Sequence, residues 1–509
     1  MGGVVLILYA VMTGMSVSAE RAMWMFLIRI GADMCGRVYD MVTALLISAC
    51  ILLIRSPLYM LDAGFLLSYG AIAGICVLLP VVRELGGGNK CGIRTSIMDG
   101  IYASASIQIF LFPITLYFFF EIPPYAVFLN ILVIPSMSLV LGVGLLGSLI
   151  YGILPWLGEA MLKSVSLLFT AYDFLCQGTE KLPFARIVFG KPKWQQVVLC
   201  YVFMMVFSVY IGKKVQKDKK TCSKWGKSGI SLALCCFLAL SIPWHGIGGN
   251  VRVTMLDVGQ GDGIYIKGPS GMHYMIDGGS SDVKEVGKYR IEPFLKSQGV
   301  GTLDYVLLSH GDADHVNGIR EMLKRQKVGI RIRAVVLPVQ EVWDETLREL
   351  AETAVEQGTR VLTITEAQNM QEELCITCLQ PGTKSGLEAG NEASMVLQMK
   401  YKDFDMLFTG DTEGKGEELL RNNKSLVRTD VLKAAHHGSK NSTTEELLQK
   451  LQPKLALISA GIENSYGHPH QETIERLQKY DVKIYSTQES GAVTVSTDGK
   501  KIWIEEFIK

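Results

Sequence analysis

The sequence predicts two architectures in series: a polytopic α-helical membrane domain over residues 1–243, then a soluble layered α/β domain over 244–509. Charge, histidine placement and hydrophobic period all change at the same point. The first part carries 19 Lys+Arg against 11 Asp+Glu, a net of +8, whereas the second carries 31 against 38, a net of −7. All eight histidines lie in the second part. The 509 residues have a mean hydropathy of +0.26 and are 19% charged, below the roughly 25% of ordinary soluble proteins. This composition excludes a disordered chain, a coiled coil and a small disulfide scaffold.

In the first part, apolar stretches suited to spanning run near 4–18, 41–54, 65–82, 101–120, 126–152, 159–176, 196–212 and 228–243, giving about seven or eight spans. Several fall short of the ~20 residues that cross ~30 Å of hydrocarbon. The stretch containing Pro135 fits either one kinked helix or a helical hairpin. Segment 19–40, with Arg21, Arg29 and Arg37 spaced at eight, reads as amphipathic and interfacial. Loop 213–227 holds seven lysines against Asp218 alone, which places it in the cytoplasm. Counting back puts 83–100 and 19–40 inside as well. Counting forward, 228–243 exits, and the soluble domain lies outside the cytoplasmic membrane. Ser68, Ser104, Ser106 and Gln108 fall within spans, where they either line a conduit or pack helices. Small residues at helical spacing, as in Gly70-x-x-x-Gly74, favour packing. No basic stretch precedes the first apolar run, so the N-terminus does not read as a signal peptide.

Nine of the eleven cysteines sit at or before Cys236, mostly in apolar runs where they act as small hydrophobes. Cys375-x-x-Cys378 has the spacing of a redox pair or half a zinc site. The sequence holds no second CxxC, and 374–379 reads as a strand that points the two thiols to opposite faces. The pair is therefore read as filler.

From 251 the pattern turns to short strands at 251–258, 263–267, 273–276 and 305–309, with helical periodicity at 316–326, 344–357 and 413–421. Such alternation makes a layered α/β domain. Its strongest motif is His310-Gly311-Asp312-Ala313-Asp314-His315, directly after an apolar strand. Helix capping accounts for one aspartate in such a loop but not for two aspartates between two histidines. A His/carboxylate cluster is a ligand set for Zn, Mn or Fe. Further apolar strands deliver Asp411 after 406–410, His436-His437-Gly438-Ser439 after 431–435, and His468-Pro469-His470 after 455–459. Taken singly, His468 or His470 is a surface histidine. Adjacent His436 and His437 point in different directions and do not easily share one ion.

Together these pieces resemble the metallo-β-lactamase fold, an αββα sandwich, and within it the ComEC family of DNA-uptake proteins. The matching motifs are LDVGQGD (256–262), IDGG (276–279), SHGDADHVNG (309–318), FTGD (408–411), AAHHGSKNS (434–442) and SYGHPH (465–470). The membrane part resembles the family's competence domain through SVSAERAMWM (16–25), RSPLYMLDAGFLLSYGA (55–71) and the region of Pro135. Members typically carry membrane segments and an OB-like domain upstream. Here Met1 already stands in competence-like sequence, so the chain reads as a fragment, the second half of a split gene or a shortened relative.

The resemblance implies one or two divalent ions, Mn²⁺ or Zn²⁺ ahead of Mg²⁺. One site would use His310 and Asp312, with Asn391 where the fold usually has a third histidine, an oxygen-rich and weakened set. The other would use Asp314, His315 and His437, with Asp411 bridging. Asp314, Asp411 and His468 become the catalytic candidates, for orienting a water or protonating the leaving group. Ser439, Lys440, Asn441 and Ser442 take substrate-facing places, and Asp257, Gln260, Asp262 and Asp277 support the ligands.

The implied function is DNA uptake in natural transformation, with one strand hydrolysed outside and the other passed through the membrane domain. The implied partners are DNA, the bilayer, a DNA receptor and a cytoplasmic motor. The net of −7 runs against the basic footprint of nucleic-acid binders; Lys433 and Lys440, flanking the HHGS motif, are read as a local basic path. Two other readings stay open: a membrane-tethered metallohydrolase on another phosphodiester or ester, and a conduit with a non-catalytic metal site.

Overall fold

The computed structural model describes residues 2–85, 93–217 and 249–508, and the chain divides into two units, Met1–Trp244 and His245–Lys509. The first is helical: α1 (Gly2–Met12), α2 (Val17–Met34), α3 (Met41–Arg55), α4 (Ala63–Val77), α5 (Leu79–Leu85), α6 (Ile93–Phe119), α7 (Ala126–Tyr151), α8 (Pro155–Glu180) and α9 (Trp194–Lys217). A two-residue antiparallel pair, β1 (Glu121–Ile122) with β2 (Ile187–Val188), ties its loops. Asp40 and Asp62 start α3 and α4, each carboxylate accepting a backbone N–H at 2.7 Å, from Thr43 and Phe65. That satisfies one of the donors a helix start leaves open.

Three described stretches are long and apolar enough to cross a membrane, namely Ala63–Glu84, Met98–Phe119 and Phe128–Tyr151. Met41–Arg55 and Trp194–Tyr210 are apolar but shorter. The region of Pro135 is one helix, α7, rather than a hairpin. The stretch expected at 4–18 is broken after Met12, and α1 at 11 residues is too short to span. The expected span at 228–243, and the lysine loop from 218 onward, lie outside the described residues.

One membrane-part expectation meets a clear outcome. Gly70 and Gly74 are packing positions: a Cβ at either would press on Leu111 or Phe110 of α6, at 2.7 and 2.8 Å. Segment 19–40 has one face packed within the unit. Val17, Trp24 and Met25 of α2 rest against Leu45, Leu52, Phe65 and Tyr69. Glu20 is 1% exposed and pairs with Arg55 at 2.8 Å. A buried carboxylate needs such a partner, and the partner lies too far along the chain to be read from helical spacing.

The second unit stacks two mixed sheets. One has the order β17-β16-β3-β4-β5-β6-β7-β8, from strands β3 (Val251–Met255), β4 (Ile264–Lys267), β5 (His273–Ile276), β6 (Thr302–Leu307), β7 (Arg331–Pro338), β8 (Arg360–Ile364), β16 (Val493–Thr497) and β17 (Ile502–Glu506). The other has the order β15-β14-β13-β12-β11-β10-β9, from β9 (Asn369–Gln371), β10 (Cys375–Gln380), β11 (Val396–Tyr401), β12 (Phe404–Phe408), β13 (Val431–Lys433), β14 (Leu455–Ile458) and β15 (Lys483–Ser486). Val253, Met255, Ile264 and Ile266 of the first sheet meet Ile376, Leu397, Met399, Met406 and Phe408 of the second in one buried core. Each such side chain contributes about 1.5–3 kcal/mol by leaving water.

Helices cover both outer faces. Val316, Ile319, Met322 and Leu323 of helix Ala313–Lys324, with Leu347 and Leu350 of helix Glu345–Glu356, pack on the first sheet. Leu447, Leu448 and Leu451 of helix Glu445–Leu451, with Leu477 of helix Gln471–Lys479, pack on the second. The result is the four-layer αββα sandwich. Cys375 and Cys378 are on β10, the first part-exposed and the second buried. Strands β12, β13 and β14 run parallel, as do β5, β6 and β7. Parallel strands end on one edge, and that edge carries the motifs.

Candidate metal centre

Asp277 ends β5 in a left-handed backbone conformation, φ 53°. Its carboxylate accepts three hydrogen bonds: from Ser309 N and Ser309 Oγ at 2.7 Å each, and from His315 Nδ1 at 3.0 Å. Ser309 Oγ in turn accepts from His310 Nδ1 at 2.9 Å. On the other sheet, His437 Nδ1 donates to the carbonyl of Ser459 at 2.9 Å. All three histidines thus have Nδ1 engaged as a donor. Their Nε2 atoms are buried and have no hydrogen-bond partner, the arrangement that second-shell partners impose on metal-ligating imidazoles.

Those Nε2 atoms converge on carboxylates. Asp411 Oδ2 lies 3.2 Å from His315 Nε2 and 3.3 Å from His437 Nε2. Asp314 Oδ2 is 3.4 Å from His437 Nε2, and Asp312 Oδ2 is 3.6 Å from His310 Nε2. Four groups bring ligand atoms close enough to hold an ion: His310/His315/Asp411, Asp314/His315/His437, Asp262/Asp411/His437 and Asp262/Asp277/His315. Asp262 already binds the ammonium of Lys433, which also reaches Asp411 Oδ1 at 3.4 Å and the Gly410 carbonyl at 2.9 Å. The two groups without Asp262 are the free ones, and they share His315. Asp411 divides its oxygens, Oδ1 toward Lys433 and Oδ2 toward the histidines.

The backbone is shaped for this convergence. Gly279 lets the DGG turn lie directly on the chain at Asp314 and His315, with which any Cβ would overlap. Gly410 takes φ +51°, and a Cβ there would press on Ser309 and Ser394 at 2.9 and 3.0 Å. His436 and His437 both adopt left-handed backbone, φ 48° and 53°, at a cost of about 1–2 kcal/mol each. Across that turn both rings keep Nε2 near Asp411 Oδ2, His437 at 3.3 Å and His436 at 3.9 Å; His437 also faces Asp314, and His436 Nδ1 faces Glu413 Oε2 at 3.0 Å.

Electrostatically the centre is coupled. Burial opposes charge on His315 and His437, yet Asp411, with Asp277 at the first and Asp262 at the second, raises both well above the usual histidine value. Burial likewise opposes ionisation of Asp262 and Asp411, but Lys433, His437 and His315 hold both well below the usual carboxylate range. Ligation must displace those imidazole protons, so metal affinity falls with acid. His468 behaves oppositely: burial and the nearby His436, His437 and His470 push it down to about 4. That keeps its imidazole uncharged at neutral pH.

The structure brings His310, Asp312, Asp314, His315, Asp411 and His437 together, with Asp262 and Asp277 behind them. Gln260 supports the rim, its side-chain oxygen accepting Gly461 N at 3.1 Å. Three expectations need correction. Asp257 stands apart, 38% exposed and paired with Arg290 at 3.3 Å. Lys433 is no surface path: at 1% exposure it sits inside the centre, because β13 is buried along its whole length. Ser439 and Ser442 are buried and brace their own loop, Ser442 Oγ donating to the carbonyls of Ala435 and Ser439 at 2.9 and 3.1 Å. Only Lys440 and Asn441 of that set face solvent. Asn391 gives its amide Nδ2 to Glu413 at 3.4 Å and keeps its Oδ1 buried without a partner, which leaves the weak third-ligand reading in place. Glu413, Ser309 and Ser459 were missed; Glu413, two residues past Asp411, had only its closeness to the FTGD motif to mark it.

The family described as "Competence protein" matches residues 1–214, and the "Metallo-beta-lactamase superfamily" matches 256–462. The chain is similar to ComE operon protein 3 of Bacillus subtilis, 27% identical over 96% of this chain and 62% of that protein. It is also similar to competence protein ComA of Neisseria gonorrhoeae, 26% identical over 95% of this chain and 63% of that protein. Among solved structures it is similar to Zn(2+)-bound PqqB from Methylobacterium extorquens, 10% identical over 47% of this chain and 97% of that one, with a TM-score of 0.32. The chain spans less than two thirds of the length of those two competence proteins.

Proposed function

We propose that this chain, a member of the ComEC family that joins a competence domain to a metallo-β-lactamase-fold domain, takes up DNA by cutting one strand at its His/Asp centre and passing the other through its helical unit. The observation that carries the hydrolytic part is the convergence of three buried, unpartnered Nε2 atoms on Asp312, Asp314 and Asp411, each imidazole fixed through Nδ1. His310, Asp312 and Asp411 would hold one divalent ion, and Asp314, His315, His437 and Asp411 a second. The oxygen-rich first set suits Mn²⁺ or Mg²⁺, whereas the second also suits Zn²⁺. A divalent ion bound there supplies Lewis acidity and a nucleophilic water at neutral pH.

The chain's own groups do the rest. Lys433 fixes Asp411 so that only Oδ2 faces the centre. Asp314 keeps 22% of its side chain exposed, which opens the centre to substrate on that side. His468 donates a neutral N–H to a phosphate oxygen, and Lys440 and Asn441 stand on the adjoining loop to meet the backbone of the nucleic acid. Seven lysines in 213–227 support a multi-pass protein of the cytoplasmic membrane with the second unit outside. A DNA receptor and a cytoplasmic motor are the expected partners.

The test is cleavage by the full chain, purified in detergent, stripped of metal and resupplied with Mn²⁺, Zn²⁺ or Mg²⁺, on single- and double-stranded DNA. Metal-dependent cleavage that Asp314→Ala abolishes supports the reading. Bound metal with no DNA cleavage refutes it. The net of −7 on residues 244–509 favours a second reading, a tethered hydrolase of a smaller phosphodiester or ester. Turnover of bis(p-nitrophenyl) phosphate without DNA cleavage would select it.

A further inference from the structure

The loop that carries His468 also presents an aromatic ring whose exposure the catalytic chemistry leaves unexplained. Tyr466 is 59% exposed. Its ring lies on that of His468, centroids 5.8 Å apart and planes 20° from parallel. His468 in turn stands 5.3 Å from the ring of His436 and 6.2 Å from that of His437. One face of the phenol is therefore backed by the centre and the other is turned to solvent.

The loop is held in place. Asn464 Oδ1 accepts from Tyr466 N at 3.2 Å and from His468 N at 3.0 Å. Its amide donates to the carbonyls of Gly461 and His468 at 2.9 and 2.6 Å, and Gln488 donates to the carbonyl of His468 at 2.9 Å. Among the described residues of the second unit, Tyr289, Trp503 and Phe507 are also exposed aromatics, but only Tyr466 stacks on a ring of the centre. Flat, fixed and half-free, a ring in this position matches what single-stranded nucleic acids use for binding, since every base has a π-face.

We propose that Tyr466 is a nucleobase platform: the base next to the scissile phosphodiester stacks on its outer face, opposite His468. This rests on the phosphodiester reading of the centre and names the part of the substrate held beside it. The platform is sequence-tolerant, because stacking carries little base-edge information, and it selects a splayed single strand over a closed duplex, whose bases present no free face.

The test uses the full chain in detergent with fluorescein-labelled oligothymidylate and an abasic oligonucleotide of equal length, first in chelator, so that binding is read without turnover. The wild type should prefer the base-bearing strand. Tyr466→Ala should weaken binding of oligothymidylate about ten-fold and leave the abasic strand unchanged, while Tyr466→Trp should keep the preference. With metal restored, Tyr466→Ala should raise KM for oligothymidylate and spare kcat. Equal effects of Tyr466→Ala on both strands, or none on either, overturn the platform even when cleavage persists. A base preference lost in Tyr466→Ala, with no cleavage under any metal, keeps the platform and sinks the hydrolytic reading instead. Failure of the wild type to bind oligothymidylate overturns the platform, and turnover of bis(p-nitrophenyl) phosphate then shows whether the centre still hydrolyses.

Discussion

Replacing Lys433 with methionine keeps the unbranched stem of the side chain and removes its charged end from the middle of the centre. Lys433 and Asp262 are each 1% exposed, and Asp411 is 4% exposed. The substitution leaves two buried carboxylates facing each other through the imidazoles alone. Breaking a buried pair by removing one partner costs about 3–5 kcal/mol. At roughly 2–4 °C per kcal/mol for a domain near this size, the metal-free second unit should melt about 6–20 °C lower. Pulse proteolysis of the full chain across a urea series reads that loss on the second unit at pH 7.5. The deficit should shrink as pH falls toward the carboxylate range, because a protonated Asp262 no longer needs its cation. Adding Asp262→Asn to Lys433→Met should recover more than half of the loss, a coupling that a double-mutant cycle isolates. Mn²⁺ should recover part of it too, since an ion at the centre compensates Asp411. A single-variant loss under about 1 kcal/mol, or strictly additive behaviour in the cycle, would refute the reasoning.

Other outcomes follow from the same geometry. Asp277→Ala removes the acceptor that fixes His315 and Ser309, and should weaken metal binding about 10–100-fold, read by competition with a fluorescent chelator. Gly279→Ala forces a methyl into the backbone at Asp314 and His315; it should cost about 1–3 kcal/mol and lower metal occupancy at full expression. His273, outside the centre, has its pKa lowered by burial, with Asp304 opposing. Its folded form binds fewer protons than the unfolded chain below about pH 6.5, so it lowers stability as pH falls through that value. His273→Gln should flatten the slope of melting temperature against pH just below 6.5, and an unchanged slope would count against the assignment.

The division into a helical and a layered unit was legible because apolar runs and period-two strands differ over tens of residues, and the ligands were legible because strand-end histidines and aspartates are rare together. What was hidden depended on partners distant in sequence or on backbone signs that letters do not carry. Lys433 sits in a three-residue strand between β12 and β14, so its burial comes from two neighbours that its own sequence does not specify. Asp257 and Asp262 belong to one motif, but only the second turns inward, because the glycines at 259 and 261, both with positive φ, redirect the chain between them. The Glu20–Arg55 pair that ties α2 to α3 joins residues 35 apart, so helical spacing does not announce it. The left-handed turn at His436 and His437 has no glycine at either position to announce it.

The pairing of β16 with β3, from Val493↔Met255 to Thr497↔Val251, gives the second unit an order in time. During synthesis β3 emerges early and keeps one open edge until residues 493–506 have been made. By then every candidate ligand, from His310 to His437, has already been made. A nascent chain therefore holds the whole ligand set beside an unpaired strand, the least protected condition for a β-edge. Closing that edge is left to the latest strands, β16 and β17, so β3 is protected from pairing with another chain only once they have been made.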